Sequence, residues 1–157
     1  MQQWPFIRSV AILADTHGLV RQSVLDQLDG VELILHAGDI GKPEVLDRLR
    51  AYAPIVAIRG NVDAGLLWLP QTEVVSIHSR LIYLLHNLDD LDLNPETAGV
   101  SMVVSGHSHK PLLRDRNGVL YVNPGSIGPR RFQLPISFAL ASFGPSKIEV
   151  TFKELVR

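Results

Sequence analysis

Apolar residues along the chain follow two different rhythms. Ser9-Val10-Ala11-Ile12-Leu13-Ala14 is a short run with no polar alternation. Such a run reads as a strand buried on both faces, because it has no side to offer to water. Val31–Leu35 and Ile55–Ile58 read the same way. Between them the spacing turns helical. Val20, Val24, Leu25 and Leu28 share a face, and Gly30 follows as a stop. Pro43 opens a second helix with Val45, Leu46 and Leu49 on one side. Proline is tolerated there because the first helical amide has no partner to lose. Strand, helix, strand, helix, strand predicts right-handed crossovers and a parallel sheet.

Beyond Pro70 the chain becomes strand-rich. Thr72–Ile77 and Leu81–Leu85 flank a turn at His78-Ser79, and Met102-Val103-Val104 is another buried strand. Asn94-Pro95-Glu96 predicts the start of a short helix. Asn117-Gly118 inside Leu112–Val122 predicts a hairpin, since both residues accept the positive φ of a tight turn. Ile136–Phe143 and Ile148–Phe152 form a last pair around Gly144-Pro145. No linker or internal repeat separates the two halves. The expectation is one mixed α/β domain over residues 1–157, with two sheets packed together.

Composition narrows the choices. Fifteen basic and sixteen acidic residues leave a formal charge of −1. That balance argues against a binder working through a strongly basic surface, so nucleic acid enters only as a candidate substrate. The absence of cysteine excludes a disulfide scaffold, a zinc–thiolate site and a cysteine nucleophile. No apolar run reaches the roughly 18 residues of a membrane helix. Met1–Val10 lacks a basic stretch leading into a long apolar one, and Val10–Ala14 ends at Asp15. A cytoplasmic protein without a membrane partner is expected.

The polar residues cluster where strands end. Asp15-Thr16-His17 follows the first strand, Gly38-Asp39 the second and Gly60-Asn61 the third. His86 follows Leu81–Leu85, and Gly106-His107-Ser108-His109 follows Met102–Val104. In open α/β sheets, ligands bind outside the carboxyl ends of the strands. Side by side, these ends would gather two aspartates, an asparagine and four histidines. Imidazole and carboxylate together suit divalent transition metals. Seven side chains exceed the four a tetrahedral zinc takes. They fit two ions sharing a carboxylate, the arrangement that clamps a phosphate ester for in-line attack.

This set resembles the signature of the calcineurin-like metallophosphoesterases, in order and spacing, and within them the small single-domain bacterial and archaeal phosphodiesterases. Asn123-Pro124-Gly125-Ser126 also resembles a loop of that branch. The resemblance implies a four-layer α/β/β/α sandwich of two mixed sheets flanked by helices. It implies that Asp15, His17, Asp39 and His109 hold a first divalent ion, with Asp39 bridging. Asn61, His86 and His107 would hold the second. Mn²⁺ is the expected ion, with Fe, Ni, Zn or Mg as alternatives. A hydroxide bridging the two ions would attack the phosphate-ester substrate, with Asp39 and Asn61 as catalytic residues. Asn61 and Arg59 are the substrate-binding candidates.

Two positions depart from the pattern. Val62 stands where many of these phosphatases carry a histidine that assists the leaving group. Asp63 or water would have to supply that proton. Esters with acidic leaving groups should therefore turn over faster, which a leaving-group series reads directly. Asn87 stands where glycine commonly follows the ligand histidine, which would tilt His86.

Other conspicuous residues have plainer expectations. His36 reads as a residue supporting the ligands from behind or a satisfied core histidine, not a ligand, and His78 as a turn residue. Arg130 and Arg131 read as a solvated loop, and Asp89, Asp90 and Asp92 as an exposed loop bordering the site. Trp4, Phe6 and Leu66-Leu67-Trp68 read as core or interface, with Trp68 and its leucines at a homo-oligomer contact. The competing function is a non-catalytic protein-binding scaffold on the same fold, resembling a retromer subunit. A complete ligand set favours the enzyme over the scaffold. A dinucleotide-binding regulator is disfavoured, because Asp15-Thr16-His17-Gly18 is no glycine-rich phosphate loop.

Overall fold

The computed structural model describes residues 1–155. Eleven strands form two mixed sheets. The five-stranded sheet contains β2 (Ser9–Leu13), β3 (Leu33–His36) and β4 (Ile55–Ala57), parallel to one another. Antiparallel β10 (Ser137–Phe143) and β11 (Ile148–Glu154) extend it, giving the order β11-β10-β2-β3-β4. The six-stranded sheet contains β1 (Gln2–Trp4), β5 (Thr72–Ile77), β6 (Arg80–Leu85), β7 (Val100–Val104), β8 (Leu112–Arg116) and β9 (Val119–Asn123). Its order is β1-β5-β6-β7-β9-β8.

Side-chain alternation decides what each face buries. Val10 and Ile12 of β2, with Leu33 and Leu35 of β3, face Ile82, Leu84, Met102 and Val104 across the gap between the sheets. Ala11, Leu13 and Ile34 point the other way, onto Val24, Leu25, Val45, Leu46 and Leu49 of the helical layer. Both faces of β2 are therefore apolar, as the unbroken run predicts. The helical layer consists of α1 (Gln22–Leu25) and α2 (Pro43–Arg50). The outer face of the six-stranded sheet, with Tyr83, Leu85 and Val103, packs against Leu88, Leu91 and Leu93. That flank is carried by a 3₁₀ turn, Leu88–Asp90, among the described residues.

The expected two-sheet α/β architecture is what the chain builds, with few helices. The helix expected over Val20–Leu28 is only one α-turn. Arg21 offers no side-chain cap, and the chain continues through Gln27→Val24, Leu28→Leu25 and Val31→Leu28 backbone bonds of 3₁₀ spacing. The helix expected at Asn94 is also a single turn. Asn94 Oδ1 accepts from the N–H of Glu96 and of Thr97, and Gly99 at φ +75° ends it. The short β1 strand has no sequence pattern to announce it and is held by parallel pairing with β5. Phe6, expected in core or interface, is 87% exposed. Trp4 is half-buried, and Leu66 is buried beside exposed Leu67 and Trp68. No helix among the described residues is long and apolar enough to cross a membrane.

Candidate metal centre

The carboxyl ends of β2, β3, β4, β6 and β7 come together where the two sheets meet. The turns that follow them are strained. Nine non-glycine residues have positive φ, and five of these are Asp15, His17, Asp39, His107 and His109. Aspartate and histidine tolerate that region better than most residues, yet each still costs on the order of 1–3 kcal/mol. Such strain persists only where the surroundings over-determine the backbone. Gly60 shows how tightly they do: a Cβ there would overlap the Asp39 carboxylate. At Gly38, with φ +99°, a Cβ would lie 2.8 Å from His86 Nδ1.

Polar clamps complete the frame. Asp63 accepts from the backbone N–H of Ile40, Gly41 and Gly60, tying the β3 turn to the β4 turn. A carboxylate 2% exposed and engaged three times is a structural tie, not the leaving-group donor considered from sequence. His36 is fully buried. Its Nδ1 accepts from Gly38 N–H, so its Nε2–H donates to Thr16 Oγ1, which in turn donates to Ile40 O. Burial, the dominant effect, holds its pKa down at about 4. Ser126 Oγ donates to Asp15 O, and Asn123 Nδ2 donates to Gly106 O and Ser108 Oγ. These two residues of the 123–126 loop thereby grip the first and last turns of the centre.

Inside the frame, lone pairs face lone pairs. His86 Nδ1–H donates to Ala37 O at 2.7 Å, which leaves Nε2 aimed at Asp39 Oδ2, 3.2 Å away, and at Asp15 Oδ1, 3.8 Å away. His17 Nε2 lies 3.5 Å from Asp39 Oδ2 and 3.8 Å from Asp15 Oδ1. His109 Nε2 lies 3.6 Å from Asp15 Oδ1. Asp15 Oδ1, His17 Nε2 and His109 Nδ1 are buried without any hydrogen-bond partner. Two clusters result, each with ligand atoms within 4.8 Å of one another: Asp15-His17-His109 and Asp15-Asp39-His86.

Asn61 joins the second cluster. Its carbonyl oxygen points at Asp39 and His86, acceptor against acceptors. Turned end for end, its amide nitrogen would donate to both Asp39 oxygens at 3.2 Å and to His86 Nε2 at 3.1 Å. Without a cation, the nitrogen-inward orientation satisfies these groups. With a cation, the oxygen-inward orientation does. His107 donates its backbone N–H to Asp15 Oδ2, while its exposed ring stands edge-on to His86, centroids 5.3 Å apart, outside both clusters.

Protonation follows from burial and neighbours. Burial pushes Asp15 up to about 7, opposed by the His86 charge and reinforced by Asp39. Burial also lowers His17, against the attraction of Asp39, and holds His109 at about 4. For Asp39, burial acts upward but is outweighed by the His86 hydrogen bond and the Val62 N–H, so its pKa falls below the ordinary value. For His86, burial acts downward, but the bonds to Asp39 and Ala37 prevail and raise it. Neutral imidazoles and an ionised Asp39 are the forms that bind metal. Buried, orphaned Asp15 is the group that most needs a cation. The donor set therefore fits divalent metal on its own chemistry.

Of the remaining candidates, Arg59 lies on the wall of a cavity next to Asn61 and His86, its buried Nε without a partner. Arg131 is exposed, as a solvated loop residue should be, yet its charge is felt at Asp15, His17 and His109. Asn87 sits at φ −111°, which demands no glycine, and His86 keeps its bond to Ala37. Sequence reasoning missed the clamps Asp63, Thr16 and Ser126. Only the resemblance of Asn123–Ser126 to a known loop signalled any of them.

Residues 9–144 match the calcineurin-like phosphoesterase superfamily domain. A probable metallophosphoesterase of Methanocaldococcus jannaschii is 34% identical over 130 residues, 74% of this chain and 67% of that protein. The phosphodiesterase YfcE of Escherichia coli is 30% identical over 112 residues, 62% of this chain and 58% of its own length. Among solved structures, Vps29 of Entamoeba histolytica complexed with zinc superposes with a TM-score of 0.74 at 23% identity, covering 94% of this chain and 98% of that one. That last likeness concerns the fold.

Proposed function

The chain belongs to the calcineurin-like phosphoesterase superfamily, and from that premise we propose that it is a phosphodiesterase working with two divalent ions. The observation that carries this reading is the convergence of Asp15, His17, Asp39, Asn61, His86 and His109, with Asp15 Oδ1 and His17 Nε2 among them buried and unpartnered. Asp15, His17, Asp39 and His109 would hold one ion, with Asp39 shared. Asn61, His86 and His107 would hold the other. Mn²⁺ leads, with Fe, Ni, Zn and Mg as alternatives, because such mixed N/O sites accept all of them. When bound, the ions supply Lewis acidity to phosphoryl oxygens and bring the pKa of water toward neutrality.

The protein's own groups do the positioning. With its carbonyl oxygen inward, Asn61 turns its amide nitrogen outward as a donor for a phosphate oxygen. Arg59 offers its guanidinium to the same anion from the cavity wall. Val62 is exposed at the rim, and its backbone N–H holds Asp39 Oδ1 at 3.1 Å. It brings no proton donor, and Asp63 is locked away, so the leaving group must take its proton from solvent. Diesters with acidic leaving groups suit such a site best.

The test is hydrolysis of bis(p-nitrophenyl) phosphate by the purified protein with added Mn²⁺. Wild type turns it over, and Asp39→Asn lowers the rate by at least about a thousandfold, as expected when a shared charged ligand is lost. Turnover by Asp39→Asn at the wild-type rate, or none by wild type across several metals, sinks the reading. The scaffold alternative draws on the Vps29 likeness and on exposed Leu67 and Trp68. It predicts no turnover with any added metal even where the ion binds, as zinc binds Vps29 of Entamoeba histolytica, where the enzyme predicts turnover.

A further inference from the structure

The cavity beside Asn61 and His86 has a volume of about 790 Å³. Small-molecule sites occupy roughly 300–1,000 Å³, so it exceeds what a phosphoryl group alone needs. It is also one-sided. Asn61, His86 and His107 border it, whereas Asp15, His17 and His109 do not. A diester held at the centre has room for its second alcohol in this direction.

The walls specify what that alcohol should be. Tyr83 and Thr72 line the cavity, and so does Arg59, whose guanidinium makes no hydrogen bond or ion pair among the described residues. Asp90 and Asp92 line it too. Both are exposed, and neither makes an ion pair among the described residues. Their placement is built into the loop: Asn87 Oδ1 accepts the Asp89 N–H and fixes the 3₁₀ turn, so that Asp90 and Asp92, but not Asp89, border the cavity. An anion-seeking guanidinium and two uncompensated carboxylates thus share the lining of one cavity. That pairing matches a zwitterion with a phosphate and a cation a few bonds away.

We propose that this cavity selects phosphodiesters in which one alcohol carries an ammonium group, the phosphate meeting Arg59 and Asn61 and the cation meeting Asp90 and Asp92. This rests on the phosphodiesterase reading. In the reaction, water adds to phosphorus and the bond to one ester oxygen breaks. The leaving alcohol departs with a proton, and the other alcohol stays on the phosphate. Polyanionic substrates, including nucleic acids, are disfavoured by the same carboxylates.

Two esters isolate the charge: p-nitrophenyl phosphorylcholine and its neutral isostere, p-nitrophenyl 3,3-dimethylbutyl phosphate. With the Mn²⁺-loaded full chain, kcat/KM should favour the choline ester by about fivefold or more, as expected for two partly exposed charge contacts. Asp90→Asn combined with Asp92→Asn should bring the ratio close to one, and so should raised salt. As a readout without turnover, the amide shifts of residues 87–92 should respond to glycerophosphocholine and lose that response in the double variant. Equal rates for the two esters in wild type, or a preference that survives both substitutions, overturns the ammonium assignment while leaving the phosphodiesterase intact. No turnover of either ester with any metal overturns the phosphodiesterase reading and this inference with it.

Discussion

The two sheets bring their donors to the centre in different ways. The five-stranded sheet supplies Asp15, His17, Asp39 and Asn61 from the ends of three adjacent parallel strands, and that side is tied down repeatedly. Asp63 holds three backbone N–H groups, His36 and Thr16 bridge two turns, and Gly60 presses on Asp39. The six-stranded sheet supplies His86, His107 and His109 with fewer ties. Its last turn depends on Asn123 and on the Asp15 carboxylate, and the His107 ring is exposed. The charge that repels itself is held on the rigid side. Three of the four imidazoles approach from the other, and of these the His107 ring is exposed. Preorganised carboxylates lower the cost of assembling a cation site, while an adjustable partner can adapt as substrate arrives.

Substitutions can break this contrast, and the largest effect belongs to the rigid side. Asp63→Ala leaves one buried and two partly buried N–H groups unpaired, so it should cost about 2 kcal/mol or more of stability. Urea unfolding of the metal-free protein reads it directly. A loss under about 1 kcal/mol would show that the ties are decorative. On the looser side, Asn123→Ala should cost less stability but loosen the Gly106–His109 turn. Metal affinity should fall about 10–100-fold, as for other groups that orient ligands from behind. Isothermal titration with Mn²⁺ should show the weaker of two binding events most affected. An unchanged isotherm would mean that this side is as rigid as the other.

The smallest effect is on pH dependence, and it belongs to His36. Unfolded, its imidazole takes a proton as pH falls through about 6.5. Folded, it does so only near 4, because full burial disfavours the charged imidazole. Between these values the unfolded chain binds more protons, so stability is full above about 6.5 and declines toward 4. His36→Gln should flatten that part of the profile in metal-free protein. Asp15 titrates in an overlapping range with the opposite sign, since its folded pKa is raised to about 7. The difference between variant and wild type is therefore the quantity to measure. Equal slopes would contradict the buried, neutral imidazole.

Much of the frame was legible in one dimension. Unbroken apolar runs marked β2, β3, β4, β6 and β7, because a strand covered on both sides tolerates no polar residue. The donors stood out because each follows such a run directly. Asn117-Gly118 announced its hairpin through backbone conformation alone. Illegible parts share a different cause. The three-residue β1 is too short to carry a pattern and exists only through its pairing with β5. Asp63 looked like a proton donor until its three N–H partners, lying 3 to 23 residues away, came into view. Asp89, Asp90 and Asp92 read alike as a loop bordering the site, and only the 3₁₀ turn decided that Asp90 and Asp92, not Asp89, line the cavity.

What the sequence determined by itself is therefore chemical and local: which donors exist, that each sits at a strand end, and that two carboxylates must share any cations among four histidines. Which donors meet was decided by tertiary structure, because contacts such as His86 with Asp39 or His107 with Asp15 join the two sheets across 47 and 92 residues. Local propensity has no term for such distances. They are set by how two twisted sheets pack their apolar faces, and that packing also opens the cavity to one side of the centre.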